Sequence, residues 1–136
     1  MNTFSMPAGN YYIGDLCYVM DKEWDEVCNM IFANGEAAGK YKLKDGREFG
    51  ILFTKYGDGC YFNVSRLYSF DVDAGLIGCI KIEDIHQELP SDAVVVTFSE
   101  DFKCYDDDGM LVFGHIAIDT AGTADCFESE EFENDD

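Results

Sequence analysis

The amino-acid sequence predicts a mainly β fold, α+β in that one helix is expected near residues 22–33, built as a small antiparallel sandwich, a rolled sheet or a barrel. Three observations carry this expectation. Short runs rich in β-branched and aromatic residues recur along the chain, punctuated by glycine and aspartate. Asp-Gly pairs stand between such runs at Asp45-Gly46 and Asp108-Gly109, a composition that favours hairpin turns. One early stretch alone has helical periodicity.

Residues 2–10 look like a loose lead-in ending in Pro7-Ala8-Gly9-Asn10. Residues 11–20 are expected as a buried strand pair or one kinked strand, interrupted at Gly14-Asp15. Asp21 is placed to cap a helix. Trp24, Val27, Cys28 and Ile31 follow on one apolar face. Glu23, Asp25 and Glu26 favour the positive end of the helix dipole, and Asn34-Gly35 supplies the stop. Residues 41–44 and 47–53 are expected to form a hairpin across a two-residue Asp45-Gly46 turn. Strands follow at 60–64, 67–72 and 76–82. A short helical turn before Pro90 leads to a strand at 93–98, and a second hairpin joins 102–106 to 110–118. The expected count is eight or nine strands.

A chain of 136 residues is the size of one domain. Its apolar content of 47% and aromatic content of 15% supply a core, which excludes disorder of the whole chain. Residues 1–120 are expected as a single globular domain and 121–136 as an acidic, flexible tail. The apolar stretch 11–20 is too short to span a bilayer. No basic residue precedes it, so neither a membrane span nor a secretory signal is expected. The expected location is the cytoplasm, with the six cysteines reduced and mostly buried as small hydrophobes. None of the six forms a C-x-x-C pair, which removes sequence support for a zinc knuckle or a thioredoxin-like site.

The formal net charge is -19, and seven acidic residues with no basic one fall in 125–136. Such a chain repels phosphate backbones, so direct nucleic-acid binding is not expected. A basic surface on another protein would attract it. Residues 40–55 form the one basic island, with Lys40, Lys42, Lys44, Arg47 and Lys55. The island fits either the solvated face of a hairpin or a dock for a phosphate or for the acidic tail.

No Walker loop, G-x-G-x-x-G, H-E-x-x-H or EF-hand loop is present. Asp106-Asp107-Asp108-Gly109 lacks the alternating ligands of a calcium loop and is taken as a turn. His86 and His115 have no triad or zinc pattern around them and are expected as surface or satisfied polar positions. Three segments pair glycine with aspartate: Ile13-Gly14-Asp15, Tyr56-Gly57-Asp58-Gly59 and Val72-Asp73-Ala74-Gly75. Each is explained by turn geometry, in which glycine takes positive φ and aspartate accepts backbone N–H groups. If Asp15, Asp58 and Asp73 meet in one cleft, they could bind a cation or act as acid and base.

The run Ala8-Gly9-Asn10-Tyr11-Tyr12-Ile13-Gly14-Asp15-Leu16-Cys17-Tyr18-Val19, with Trp24 soon after, resembles a family of small uncharacterised bacteriophage and bacterial proteins. Their pattern there is G-x-Y-x-I-G-D-P-C-Y-V followed by a Trp. Thr54-Lys55-Tyr56-Gly57-Asp58-Gly59 and Asp71-Val72-Asp73-Ala74-Gly75-Leu76-Ile77-Gly78 are similar to the family's T-x-Y-G-D-G and V-D-A-G-x-I-G segments, and residues 114–120 to its closing segment. Leu16 stands where the family has proline. The resemblance implies a small, phage-encoded accessory protein and marks Asp15, Tyr56, Asp58 and Asp73 as the positions of interest. It implies no reaction or cofactor.

Three functions are therefore expected, in this order. The first is an acidic, non-enzymatic interaction protein that binds or inhibits a host protein with a basic surface. The second is a small-molecule module, in which Tyr11, Tyr12, Tyr18, Tyr56 and Tyr61 stack on a planar, nucleotide-like ring while Lys55 or Arg66 pairs an anion. The third is a hydrolase using Asp15, Asp58 and Asp73, with or without a metal. No cofactor is expected.

Overall fold

The computed structural model describes residues 2–121, so the acidic stretch 122–136 lies outside the described residues. The strands, in chain order, are β1 (Thr3–Met6), β2 (Gly9–Gly14), β3 (Gly39–Lys42), β4 (Glu48–Phe53), β5 (Gly59–Asn63), β6 (Ser69–Val72), β7 (Leu76–Lys81), β8 (Val94–Phe98), β9 (Phe102–Asp107), β10 (Met110–Phe113) and β11 (Ile116–Asp119). One α-helix, α1, spans Trp24–Ala33. Every strand pair is antiparallel. One sheet has the order β1-β9-β10-β11-β5-β6 and the other β3-β4-β7-β2-β8. The architecture is a two-sheet sandwich with one helix, and neither sheet closes into a barrel.

Between the sheets lies an apolar layer contributed by both, including Tyr11, Ile13, Leu52 and Ile77 from one and Tyr61, Phe70, Cys104 and Phe113 from the other. A second layer covers the outer face of the five-stranded sheet. There Val27 and Ile31 of α1, with Leu16, Val19 and Met20, pack on Tyr12, Phe49, Ile51, Leu76 and Ile80. The five-stranded sheet is therefore buried on both faces in its middle. That explains why residues 76–80 form an unbroken apolar run in which all five are buried, whereas β6 alternates exposed and buried.

Several elements differ from the sequence expectation. The lead-in is ordered: β1 pairs with β9, Phe4 opposite Cys104. Residues 11–20 do not continue as a strand beyond Gly14. Leu16–Tyr18 forms a 3-10 turn capped by the Asp15 carboxylate, which accepts from the Cys17 N–H. Asp21 does not cap α1. The residue at the N-cap is Glu23, and it makes no side-chain capping bond. Glu23 is committed to Arg47 of the β3–β4 loop at 2.6 Å.

The Asp45-Gly46 turn is longer than two residues. Lys42 pairs with Glu48, and between them Gly46 N–H donates to Leu43 O while Leu43 N–H donates to Arg47 O. Only Gly46 has positive φ, at 99°, the arrangement of a three-residue loop with a glycine bulge. At the second Asp-Gly pair both residues are left-handed, Asp108 at φ 49° and Gly109 at φ 92°, and a two-residue turn joins Asp107 to Met110. Residues 110–118 are two strands rather than one, parted at Gly114-His115.

Cys79 and Cys104 are fully buried, one from each sheet, and burial followed by the Cys104 neighbour keeps the Cys79 thiol protonated. Cys28 is exposed on α1. Cys60 is disulfide-bonded, which departs from six reduced thiols; Cys17, Cys28, Cys79 and Cys104 are free. The lack of C-x-x-C spacing bears only on bridges between near neighbours in sequence, not on this one. Among the described residues no helix is long and apolar enough to cross a membrane.

Gly78 lies opposite both Gly14 and Ile51. A Cβ there would stand 2.5 Å from the Gly50 carbonyl oxygen and 2.7 Å from Leu16 Cδ1. Gly78→Ala is expected to lower stability by ~1–3 kcal/mol through overpacking. Chemical denaturation should show a lower midpoint with an unchanged slope.

Candidate functional site

The three glycine–aspartate segments meet at one end of the sandwich. Asp15 follows β2 and is 1% exposed. Its Oδ1 accepts from the Cys17 N–H at 3.0 Å, and its Oδ2 accepts from the Asp73 and Ala74 N–H groups, both at 2.7 Å. The β6–β7 connection is thus tied to the end of β2. Tyr12, also buried, donates its hydroxyl to the Asp15 carbonyl at 2.9 Å. The Tyr18 hydroxyl donates to the Asp73 carboxylate.

Thr54 brings in the remaining segment. Its N–H donates to Gly75 O at 3.1 Å, and its hydroxyl donates to Gly57 O at 2.7 Å. The Tyr61 hydroxyl donates to the same Gly57 carbonyl at 2.9 Å. Asp58 is exposed beside this turn, and its charge reaches Cys17. Burial first, then the hydrogen bond with Asp15, then the charges of Asp15, Asp73 and Asp58 push the Cys17 thiol up to about 12. Burial, followed by the hydrogen bond to Asp73, raises the Tyr18 hydroxyl above its usual range. For Tyr12 the causes are burial and then the Asp15 charge.

This geometry separates the candidate residues. Asp15 has both oxygens engaged by backbone N–H groups, which makes it an anchor rather than an acid or base poised for a substrate. Asp73 is exposed and partnered by Tyr18. Lys55 ion-pairs with Asp108 at 2.7 Å and lies 6.0 Å from the centre of the Tyr56 ring, while Tyr56 is 61% exposed. Arg66 is not part of the cluster. It occupies the β5–β6 connection, at the other end of the strand from Gly59, and stacks over Phe62 at 4.2 Å. Tyr11 and Tyr61 are core residues, with their hydroxyls bonded to Pro7 O and Gly57 O. His86 and His115 are both exposed. Among the described residues no group of three or more His, Cys, Asp or Glu side chains is arranged to hold a metal ion.

The basic island is partly neutralised. Arg47 pairs with Glu23 and Asp45, and Lys40 with Glu48 at 3.8 Å. Arg47 also donates to the Asp84 carbonyl at 2.8 Å. A cavity of about 260 Å³, whose lining residues lie far apart in the sequence, opens beside the cluster, between β2, β6 and the start of β8. Tyr12, Asp15 and Tyr18 line it, together with Phe70, Asp71 and Asp92 among others, and no basic residue contributes. Asp71 and Asp92 are both exposed. One sequence signal pointed there: aspartate is depleted in strands, yet Asp71 sits inside one.

Comparison with protein-family models, with curated proteins and with solved structures finds no match for this chain.

Asp15→Ala would strand three N–H groups and is expected to cost roughly 2–4 kcal/mol in a denaturant titration. Asp73→Asn, at an exposed position, should leave the midpoint nearly unchanged. A thiol pushed up to about 12 has only about one part in 10,000 of its population ionised at pH 8. Iodoacetamide at that pH should therefore label exposed Cys28 well before Cys17 in the native protein, read by peptide mass. Denaturant should abolish the difference.

Proposed function

We propose that this chain is a non-catalytic, phage-encoded accessory protein that binds a host protein through that protein's basic surface and thereby inhibits it. The observation that carries the reading is electrostatic. The net charge is -19, and Arg47, Lys40 and Lys55 are spent on internal pairs. The outward field is thus anionic and little relieved, which speeds encounter with cationic surfaces and rejects anionic ones. The chemistry of the glycine–aspartate cluster supports the same reading, because the buried Asp15 carboxylate is occupied in holding turns together. A nucleotide-like ligand is the less favoured reading: the cavity lining offers aspartates and no cation to an anion. Phage origin is supported by the sequence resemblance of residues 8–120. We place the protein in the host cytoplasm. Four free cysteines favour that reducing compartment and the bonded Cys60 counts against it; charge, not compartment, carries the reading.

The test is affinity capture by the full chain from a bacterial lysate, at low and at physiological salt. The expected result is a retained protein with a Lys/Arg-rich contact surface, bound about tenfold or more weakly once exposed charges are screened. Retention of nothing at either salt would overturn the reading.

A further inference from the structure

The two sides of the sandwich are closed differently. On one side, edge strand β1 lies near edge strand β3, and Lys40 and Lys42 place charge along β3 in the way natural edges resist strand addition. On the other side β6 and β8 end their sheets, and among the described residues neither has a ladder partner on its outer edge. The acidic cavity opens on this side.

β6 contributes Ser69, Phe70 and Asp71 to it in succession. Consecutive residues of a strand point to opposite faces, so β6 turns its backbone edge towards the opening. β8 begins at Val94, opposite Ile13, and β2 continues through Gly14 with no strand of the described residues beside it on that flank. A strand edge unpaired among the described residues thus borders a recess with an apolar floor, Phe70, Ile13 and Val94, and an acidic rim, Asp71 and Asp92.

We infer that this cleft is a strand-addition site for an extended, basic segment of a partner protein, which pairs along the outer edge of β6 and lays one lysine or arginine side chain in the recess between Asp71 and Asp92. The inference rests on the binding function proposed above and deepens it by naming the place and the chemistry of the partner. Main-chain bonds to an edge supply affinity in this mode, and recesses for alternate side chains supply specificity. The volume of about 260 Å³ falls below the ~300–1,000 Å³ of pockets that enclose drug-sized molecules and suits one long side chain. The aliphatic stem of that side chain would cover the apolar floor while its charge stays at the rim. A second copy of this chain is a poor occupant: each brings a net charge of -19, and pairing β6 with β6 would bring two Asp71 side chains together.

The test uses the full chain and a short synthetic peptide alternating valine and lysine, followed by fluorescence anisotropy at physiological salt. Three control peptides accompany it: one with glutamate for lysine, one N-methylated at alternate backbone nitrogens, and one with a proline in the centre. The lysine peptide is expected to bind. N-methylation of the pairing edge, the central proline, Asp71→Lys and Asp92→Lys should each weaken binding by about tenfold or more, and the glutamate peptide should not bind. Both aspartates are exposed, and far-ultraviolet circular dichroism checks that the variants fold. Failure of the lysine peptide to bind overturns the inference. So does equal binding of the N-methylated peptide, which would mean attraction by charge alone. Repeating the lysate capture with the Asp71→Lys, Asp92→Lys double variant separates the two claims. A host protein still retained by the double variant overturns the site and leaves the general binding function standing, whereas nothing retained by the unmodified chain overturns the function itself.

Discussion

The Asp15 carboxylate is taken out of water at a point where three stretches of backbone must turn at once. A buried carboxylate without partners would be untenable, and this one is met by the N–H groups of Cys17, Asp73 and Ala74. One of those bonds ends β2 and starts the 3-10 turn that carries the chain outward towards α1. The other two hold the link between β6 in one sheet and β7 in the other. Thr54 then fastens the β4–β5 connection to Gly75. The spacing between the end of β2 and the edge of β6, and so the width of the cleft between them, follows from where this single side chain finds its donors.

Burial on both faces of the five-stranded sheet has a second consequence. With α1 over β4, β7 and the end of β2, the helix covers the middle of that sheet and not the β8 side, where Val95 is exposed. The β1/β3 side is closed by proximity and by lysines. On the opposite side, among the described residues, β6 and β8 are left as unpaired edges, and there the acidic residues gather without basic neighbours in the lining. Asymmetry of packing and asymmetry of charge thus coincide.

Local chemistry in the sequence was enough for the span of α1, where Val27 and Ile31 are buried, Cys28 of the expected face is exposed, and the Asn34-Gly35 stop follows Trp24–Ala33 with Gly35 at φ 69°, and for the β9–β10 hairpin. It was not enough at Asp45-Gly46, where the same dipeptide closes a wider loop because Leu43 is buried and Arg47 is drawn to Glu23. β1 has little apolar signal of its own, and it becomes a strand only because β9 offers an edge at its register. The glycine–aspartate segments were visible as turns. Their meeting was not, since separations along the chain carry no information about which connections share an end of a sandwich. The cleft was less visible still: among the described residues it is made by the lack of a strand on the β8 flank of Gly14 and along the outer edge of β6, which only the strand order reveals.

Charge and backbone act on different stages of an encounter, which is why both are needed for the cleft to discriminate. The anionic field is long-ranged and undirected, so it gathers cationic surfaces of any shape and is screened by salt within about 8 Å at physiological ionic strength. The outer edge of β6, unpaired among the described residues, acts only on contact and only on a chain that can extend. A basic helix would be attracted and find no ladder to complete, because its own N–H and C=O groups are already paired within it. An extended neutral segment would fit the edge and gain nothing from Asp71 or Asp92. In the proposed strand-addition mode, selectivity at this surface comes from requiring the two properties together, and the recess beside Phe70 is where the same residue of the partner has to satisfy both.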